Sequence, residues 1–259
     1  MENKTTQDDR NSISHIGQNT MVIFDWDDTL LEIGDHLVES QYQACEYMKE
    51  QSQQYTFANH WEYPSKSTLK KHIGQRFRET IVPTIFPDLD IHNALQKKWL
   101  DELVCRFRKL YSKTSKKMYR GAYPMLQHLK ESGYCLAIAT NKSRDLLEIE
   151  LKDNQVDNSF FSYIVCADDE VVEKLYKPHP RMIDTIQKSS PEFVYYVMVG
   201  DRDSDIVAAK NSLKASQTKT IAITTTQQAF SAKPDRYLKM ASRITDNLLK
   251  ELLKGRQVK

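Results

Sequence analysis

The sequence lacks the cysteine and histidine patterns that a disulfide framework or a thiolate–imidazole metal site would require. Its four cysteines are scattered without a CxxC pair, and the seven histidines show no metal-ligand spacing. Cys135 and Cys166 fall within apolar runs, where a free thiol behaves as a small hydrophobic group. We therefore expect a reduced, cytoplasmic compartment.

Long hydrophobic runs are also absent. Residues 1–19 are polar and contain no apolar stretch of the kind that a signal peptide needs. No later run has the length of a transmembrane helix. We interpret residues 1–19 as a disordered polar tail and expect no membrane partner.

The whole chain has no large excess of positive or negative charge, since 37 Lys and Arg against 35 Asp and Glu give a net charge of 37 − 35 = +2. Residues 66–120 differ, because 14 Lys and Arg against 5 Asp and Glu give 14 − 5 = +9. This local excess fits either the attraction of an anionic ligand or solvated helix faces. There is no basic-aromatic RNA signature, so we expect no nucleic-acid partner.

Short apolar runs that alternate with helical patterns are what the sequence does contain. The runs lie at 21–24, 135–139, 163–166, 195–199 and 220–224. None alternates cleanly with polar residues, which is typical of strands covered on both faces. Helical patterns separate the last four runs and predict right-handed βαβ units. The expected fold class is α/β, with a doubly wound, Rossmann-like parallel sheet.

The spacing of these runs predicts a large insertion after the first strand. The first two runs are separated by 110 residues, far more than one crossover helix needs. Helical patterns fill this stretch at 36–53, 66–80 and 93–117, with a proline-containing break at 82–87. We predict an all-helical domain at 35–118 and a core domain at 20–34 and 119–259, with Gly34 and Gly121 as hinges.

Polar side chains follow four of the predicted strands. They are Asp25 and Asp27, then Thr140, Asn141 and Lys142, then Lys177, and finally Asp201 and Asp205. The ends of parallel strands share one edge of a sheet, where open α/β folds bind their ligands. Carboxylates packed this densely favour a divalent cation. Together with a hydroxyl and an ammonium group, they suit phosphoryl transfer.

With these motifs the sequence resembles the haloacid dehalogenase superfamily, and within it the phosphoglycolate-phosphatase-like branch. The DxDxT motif is Asp25-Trp26-Asp27-Asp28-Thr29. The other motifs are Thr140-Asn141-Lys142, Lys177-Pro178-His179-Pro180, and Gly200-Asp201 with Asp205. They occur in the expected order and spacing within residues 21–240. The helical insertion resembles the cap domain of that branch.

The resemblance implies a hydrolase of phosphomonoesters that acts on a small phosphorylated metabolite. Asp25 would attack phosphorus and form an aspartyl-phosphate, and Asp27 would act as general acid and then as general base. Thr140 and the backbone amide of Asn141 would bind phosphoryl oxygens. Lys177 would neutralise charge on the phosphoryl group and on Asp25.

The resemblance also implies Mg²⁺ as the cofactor. The Asp25 carboxylate, the Asp27 backbone carbonyl and Asp201 would hold the ion, with Asp205 as a ligand or as a water-mediated support. Position 28 departs from the pattern, because it is Asp where the nearest relatives usually carry Gly, and Arg202 stands where Ser is commoner. We assign Asp28 no catalytic role.

Within the insertion, residues 72–78 resemble the family's substrate-specificity loop. Gly74 would permit a tight turn, and Arg76 would reach the part of the substrate remote from phosphorus. The alternative is a helix with two solvated arginines.

Two other functions remain open from the sequence, and so does the choice between a monomer and a homodimer. A phosphosugar mutase would return the phosphoryl group to a sugar rather than to water. A receiver-type switch would hold it without turnover, although Asp27 and the insertion argue against a switch.

Overall fold

The structure, a computed structural model, describes residues 16–51, 53–73, 75–224 and 230–254. Most of the predicted polar tail, residues 1–15, lies outside this range. The chain divides into two compact units, with boundaries between Glu32 and Ile33 and between Lys116 and Lys117. We call Ile33–Lys116 the inserted unit and the remainder the core unit. Gly34 (φ 29°) and Gly121 (φ 83°), close to the two boundaries, adopt left-handed backbone conformations that favour glycine.

The inserted unit contains helices and no strand among its described residues. Its α-helices are α1 (Gly34–Glu50), α2 (Lys66–Lys70), α3 (Val82–Ile85) and α4 (Ala94–Ser112). Helix α1 packs against α4. The rings of Trp61, Phe86 and Trp99 pack together, with centroids 5.1–5.2 Å apart.

The predicted single helix over 66–80 is wrong. Helix α2 ends at Lys70, and Phe77–Ile81 is a separate π-helix that leads directly into α3. Helix α3 lies within the predicted break at 82–87. A helix can form there because Pro83 lies in the first turn of α3, where a missing N–H removes no helical hydrogen bond. The helix predicted to reach residue 117 ends at Ser112.

The core unit contains a six-stranded sheet and a separate two-stranded ladder. Its strands are β1 (Thr20–Phe24), β2 (Leu31–Glu32), β3 (Lys117–Met118), β4 (Cys135–Ala139), β5 (Tyr163–Val165), β6 (Tyr195–Gly200), β7 (Thr218–Ile223) and β8 (Arg236–Leu238). The large sheet has the order β5-β4-β1-β6-β7-β8, and every pair in it is parallel. Strands β2 and β3 pair in antiparallel fashion. The sequence predicted neither this ladder nor β8.

The strand order makes the sheet doubly wound. From β1 the chain moves outward to β4 and β5, and it then crosses to the other side of β1 for β6, β7 and β8. Right-handed crossovers place the helices of the two halves on opposite faces. The outgoing connections of the neighbours β1 and β6 leave in opposite directions, which makes a topological switch point at their carboxyl ends. The predicted α/β fold is confirmed.

The helices of the core unit cover both faces of β1. They are α5 (Ala122–Glu131), α6 (Arg144–Asp153), α7 (Arg181–Ser189), α8 (Asp203–Lys210) and α9 (Asp246–Lys254). Met21 and Ile23 belong to one cluster with Ile183 of α7 and Ala209 of α8. Val22 and Phe24 point to the other face, and all five side chains of β1 are fully buried. This burial explains why the first apolar run has no polar alternation. No helix in the described ranges is both long and apolar enough to cross a membrane.

Candidate active site

A tight turn directly after β1 separates the two predicted catalytic aspartates. The Asp25 amide donates to the Val199 carbonyl at 2.8 Å, which extends the pairing with β6 by one residue. The chain then turns, because the amides of Leu30 and Leu31 both donate to the Trp26 carbonyl at 3.0 Å. Asp28 occupies the left-handed corner of this turn (φ 55°). Aspartate tolerates this conformation better than most residues, which explains how it can occupy this corner.

Lys177 connects three of the predicted motifs through its ammonium group. Its Nζ lies 2.7 Å from Asp25 Oδ1, 2.6 Å from Asp205 Oδ1 and 2.7 Å from the Ala139 carbonyl. The side chain is only 2% exposed. Burial alone lowers the pKa of this amine, but the charges of Asp205 and Asp25 outweigh that effect and raise the pKa. Lys177 is therefore a fixed positive charge between two carboxylates.

Asn141 holds the backbone that carries Lys177. Its Oδ1 accepts a hydrogen bond from the Lys177 amide, and its Nδ2 donates to the Lys177 carbonyl, both at 3.0 Å. Thr140 is buried at the end of β4, and its Oγ1 accepts from the Lys142 amide at 3.2 Å. The structure thus brings both residues to the same sheet edge as Asp25, and their contacts with phosphoryl oxygens stay predictions.

Three carboxylates from β1, β6 and α8 gather beside this lysine. One oxygen from each of Asp25, Asp201 and Asp205 lies within 4.8 Å of the other two. The amide of Arg202 donates to Asp205 Oδ2 at 2.9 Å. Gly200 makes room for Asp205, because a Cβ added at Gly200 would lie 2.3 Å from the same Oδ2. We call Asp25, Lys177, Asp201 and Asp205 the strand-end site.

The electrostatics and chemistry of the strand-end site fit a divalent cation. Burial, followed by the charge of Asp205, raises the pKa of Asp201 well above its ordinary value. Burial also raises the pKa of Asp205 to about 6, although Lys177 opposes the shift. Carboxylate oxygens are the ligands that Mg²⁺ prefers, and the ion would relieve the repulsion among them. The carboxylate of Asp27 lies outside this metal-competent trio.

Asp27 instead belongs to a second charged cluster, with Lys142 and Glu150. Its Oδ1 lies 2.5 Å from Lys142 Nζ, and that Nζ lies 2.5 Å from Glu150 Oε2. The indole of Trp26 donates to the same Glu150 oxygen at 2.9 Å. Desolvation by burial raises the pKa of Asp27 to about 7, against the opposing charge of Lys142. Burial lowers the pKa of Lys142, but Asp27 and Glu150 outweigh it and raise that pKa.

Glu150 is not among the predicted site residues, although the sequence contains a signal for it. Glu150 lies three residues after Leu147 and one before Leu151, and all three are buried on the same face of α6. An acidic residue at an apolar position of an amphipathic helix is costly to bury without a partner. That position could have indicated a buried cation nearby.

The predicted substrate-binding residues belong to the inserted unit, and the structure tests neither. Gly74 lies outside the described residues. Arg76 Nε and Nη2 each donate to Glu79 at 2.9 Å, so the guanidinium pairs with a carboxylate three residues further along the chain. Arg202, the other departure from the family pattern, bridges Asp201 at 2.9 Å and Asp28 at 3.4 Å.

Comparisons with known proteins agree with this fold and these motifs. A family model described as haloacid dehalogenase-like hydrolase matches residues 22–223. Pyrophosphatase PpaX of Bacillus cereus is 29% identical over 212 residues, which cover 79% of this chain and 83% of that protein.

Two solved structures illustrate the likeness in three dimensions. A protein of Haemophilus somnus described as a predicted phosphoglycolate phosphatase has a TM-score of 0.66 at 19% identity, over 93% of this chain and 99% of that one. YfnB of Bacillus subtilis, bound to magnesium, has a TM-score of 0.56 at 17% identity, over 92% and 99% of the two chains. At these identities the likeness concerns the fold.

Proposed function

The chain belongs to the haloacid dehalogenase-like hydrolases, and on that premise we propose that it is a Mg²⁺-dependent phosphatase of small phosphorylated metabolites. One observation carries this proposal: the Lys177 ammonium lies within hydrogen-bonding distance of both Asp25 and Asp205, with Asp201 beside them. A carboxylate nucleophile, a charge-neutralising amine and a cation-binding group thus meet at the switch point of the sheet.

In the first step Asp25 is the nucleophile. A carboxylate oxygen of Asp25 attacks phosphorus, and the bond between phosphorus and the ester oxygen breaks. The electron pair of that bond remains on the leaving oxygen, which takes a proton from Asp27. The pKa of Asp27, raised to about 7, suits a group that must hold a proton near neutral pH.

In the second step water releases the phosphoryl group from Asp25. Asp27, now ionised, accepts a proton from the attacking water, while the bond between phosphorus and the Asp25 oxygen breaks. The products are inorganic phosphate and the regenerated carboxylate. Thr140 and the Asn141 amide bind phosphoryl oxygens, and Lys177 offsets the negative charge that collects on them.

Asp25 and Asp201 would supply carboxylates to Mg²⁺, with Asp205 as a ligand or as a water-mediated support and the Asp27 carbonyl as a further ligand. The bound ion would stabilise negative charge on the phosphoryl oxygens. This assignment is supported by the three clustered oxygens and by the magnesium bound to YfnB.

The substrate class that we propose is a small phosphomonoester. The likeness to a predicted phosphoglycolate phosphatase favours a phosphorylated carboxylic acid, and the likeness to a pyrophosphatase adds inorganic pyrophosphate to the test set. Arg76, together with Gly74, would contact the part of the substrate remote from phosphorus. We propose a cytoplasmic enzyme that acts without a nucleic-acid or membrane partner.

The test is a screen of phosphorylated metabolites and pyrophosphate with Mg²⁺, run in parallel on the wild-type protein and on Asp25→Asn. We expect phosphate release by the wild-type protein alone. Isomer formation without phosphate release would favour a phosphosugar mutase instead. A phosphorylated protein that persists for minutes without turnover would favour a phospho-accepting switch. Equal activity of the two proteins would contradict the mechanism.

A further inference from the structure

We infer that Glu150 is a positioning residue for the acid–base group of the reaction, acting through Lys142 on Asp27. This inference rests on the proposed function, because it assumes that Asp27 protonates the leaving oxygen. Glu150 lies on α6 and does not belong to any of the four motifs at the strand ends. Its contacts nevertheless join it to Asp27 through a single intervening side chain.

The three side chains form a linear chain of contacts that ends at Asp27. Glu150 Oε2 lies 2.5 Å from Lys142 Nζ, and the same Nζ lies 2.5 Å from Asp27 Oδ1. The side chains of Glu150 and Lys142 are 2% and 4% exposed, whereas that of Asp27 is 29% exposed. The Glu150 end of the chain, which we call the closed end, is therefore buried, whereas the Asp27 end is partly exposed to solvent.

Trp26 fixes the closed end from a second direction. Its indole N–H donates to Glu150 Oε2 at 2.9 Å, and its side chain is fully buried. Trp26 also separates Asp25 from Asp27 in the chain. Trp26 therefore binds the Glu150 carboxylate that also contacts Lys142. This hydrogen bond links the turn after β1 to helix α6.

The long side chain of Lys142 would otherwise have rotational freedom, since lysine has several rotatable bonds. Glu150 restricts it to the rotamer that reaches Asp27, and Lys142 in turn restricts the Asp27 carboxylate. A positioned acid contributes roughly 10²–10⁴-fold to a rate, and this contribution depends on the distance to the leaving oxygen. Loosening the Asp27 carboxylate should therefore slow those reactions whose leaving oxygen requires a proton.

Substrates with different leaving groups can distinguish a positioning role of Glu150 from a purely structural role. An alkoxide needs a proton as its bond to phosphorus breaks, whereas 4-nitrophenolate leaves readily without one. The comparison should use kcat/KM, because this constant covers the steps through transfer to Asp25 and excludes the later hydrolysis that both substrates share. We therefore propose measuring kcat/KM for an alkyl phosphate and for 4-nitrophenyl phosphate, with Mg²⁺ present.

The variant is Glu150→Gln, and its matched control is Glu148→Gln. Both substitutions remove one negative charge from α6, but Glu148 is exposed. We expect Glu150→Gln to lower kcat/KM for the alkyl phosphate by about tenfold or more and for 4-nitrophenyl phosphate by less than about threefold. Glu148→Gln should leave both constants unchanged.

Equal losses on the two substrates would overturn the inference, because they would indicate general damage to the fold or to the nucleophile. The absence of any loss would overturn it as well. A wild-type protein that hydrolyses no phosphate ester would contradict the proposed function itself, and the wild-type assay alone reveals that outcome.

A second variant decides the question if Glu150→Gln does not fold. Trp26→Phe keeps a buried aromatic ring but removes the N–H that holds Glu150. We expect a smaller loss with the same preference for the alkyl substrate, and an equal loss on both substrates would overturn the inference.

Discussion

Charged residues form pairs of similar length in the two units, but in very different surroundings. In the core unit, Lys177 lies 2.6 Å from Asp205, and the two side chains are 2% and 1% exposed. In the inserted unit, Lys70 lies 2.7 Å from Asp35, and those side chains are 54% and 86% exposed. Arg78 and Asp101 form a similarly exposed pair at 2.7 Å.

The comparison shows that distance alone does not measure what an ion pair does. Water and mobile ions screen the exposed pairs of the inserted unit, so each contributes little to stability. The buried charges of the core unit interact strongly, and each depends on its partner. Shifted pKa values in such a buried cluster are typical of functional sites. We therefore assign the chemistry to the core unit and expect the inserted unit to influence substrate choice.

The largest effect that we predict is the loss of activity in Asp25→Asn. The substitution removes the nucleophilic carboxylate, so kcat should fall by on the order of 10³-fold or more. Steady-state phosphate release with the best substrate of the screen measures it. Asp101→Asn, which makes the same chemical change in an exposed pair of the inserted unit, is the control and should retain activity.

Removal of the metal or of Asp201 should have the next largest effect. EDTA should abolish activity and added Mg²⁺ should restore it, because repulsion among the three carboxylates needs a cation for relief. Asp201→Asn should weaken Mg²⁺ binding, measured by calorimetry, by at least about tenfold. Asp203→Asn is the matched control, since that carboxylate accepts hydrogen bonds from Ser231 instead. Equal Mg²⁺ affinity in the two variants would contradict the site.

The contrast between buried and exposed pairs can be tested directly with two lysines. In metal-free buffer near neutral pH, Lys177→Met should lower the free energy of unfolding by about 3 kcal/mol, because it leaves Asp25 and Asp205 buried without their cation. Lys70→Met removes an ion pair of similar length from the surface and should produce no measurable change. Urea denaturation measures both variants. Similar losses in the two would contradict the contrast between the units.

The smallest effect is expected at Arg76. If this guanidinium, held by Glu79, contacts the remote part of the substrate, Arg76→Ala should raise KM by about tenfold and leave kcat nearly unchanged. The control is Arg78→Ala, which breaks an exposed pair with Asp101. An unchanged KM in Arg76→Ala would favour the alternative of a solvated arginine.

The sequence predicted the central strands of the large sheet well because they are buried on both faces. Runs such as 135–139 therefore consist almost wholly of apolar residues, and their ends place the motifs at one edge. The family and the hydrolase class that these motifs predicted are confirmed. Strand β8 was missed, because Arg236 and Tyr237 are exposed at the edge of the sheet and form no apolar run.

The inserted unit was harder to predict in detail. Its apolar residues continue through 66–85 at helical spacing, yet the α-helix ends at Lys70 and a π-helix follows at Phe77–Ile81. The difference lies in hydrogen-bond pattern rather than in hydropathy. In the site, the family resemblance implied that Lys177 pairs with Asp25, but motif spacing could not indicate that the second lysine, Lys142, pairs with Asp27. This division of the two lysines between the two aspartates depends on the turn at Asp28. The pattern of polar and apolar residues does not predict the left-handed conformation of Asp28.

Direct detection of the phosphorylated enzyme tests the central claim most closely. The wild-type protein would be mixed with excess substrate and Mg²⁺, stopped with acid during turnover, digested and examined by mass spectrometry. The account predicts one phosphoryl group on Asp25 in the peptide that contains the first motif, and none in Asp25→Asn. An enzyme that turns over while Asp25 remains unmodified, or that carries the phosphoryl group on another residue, would contradict it.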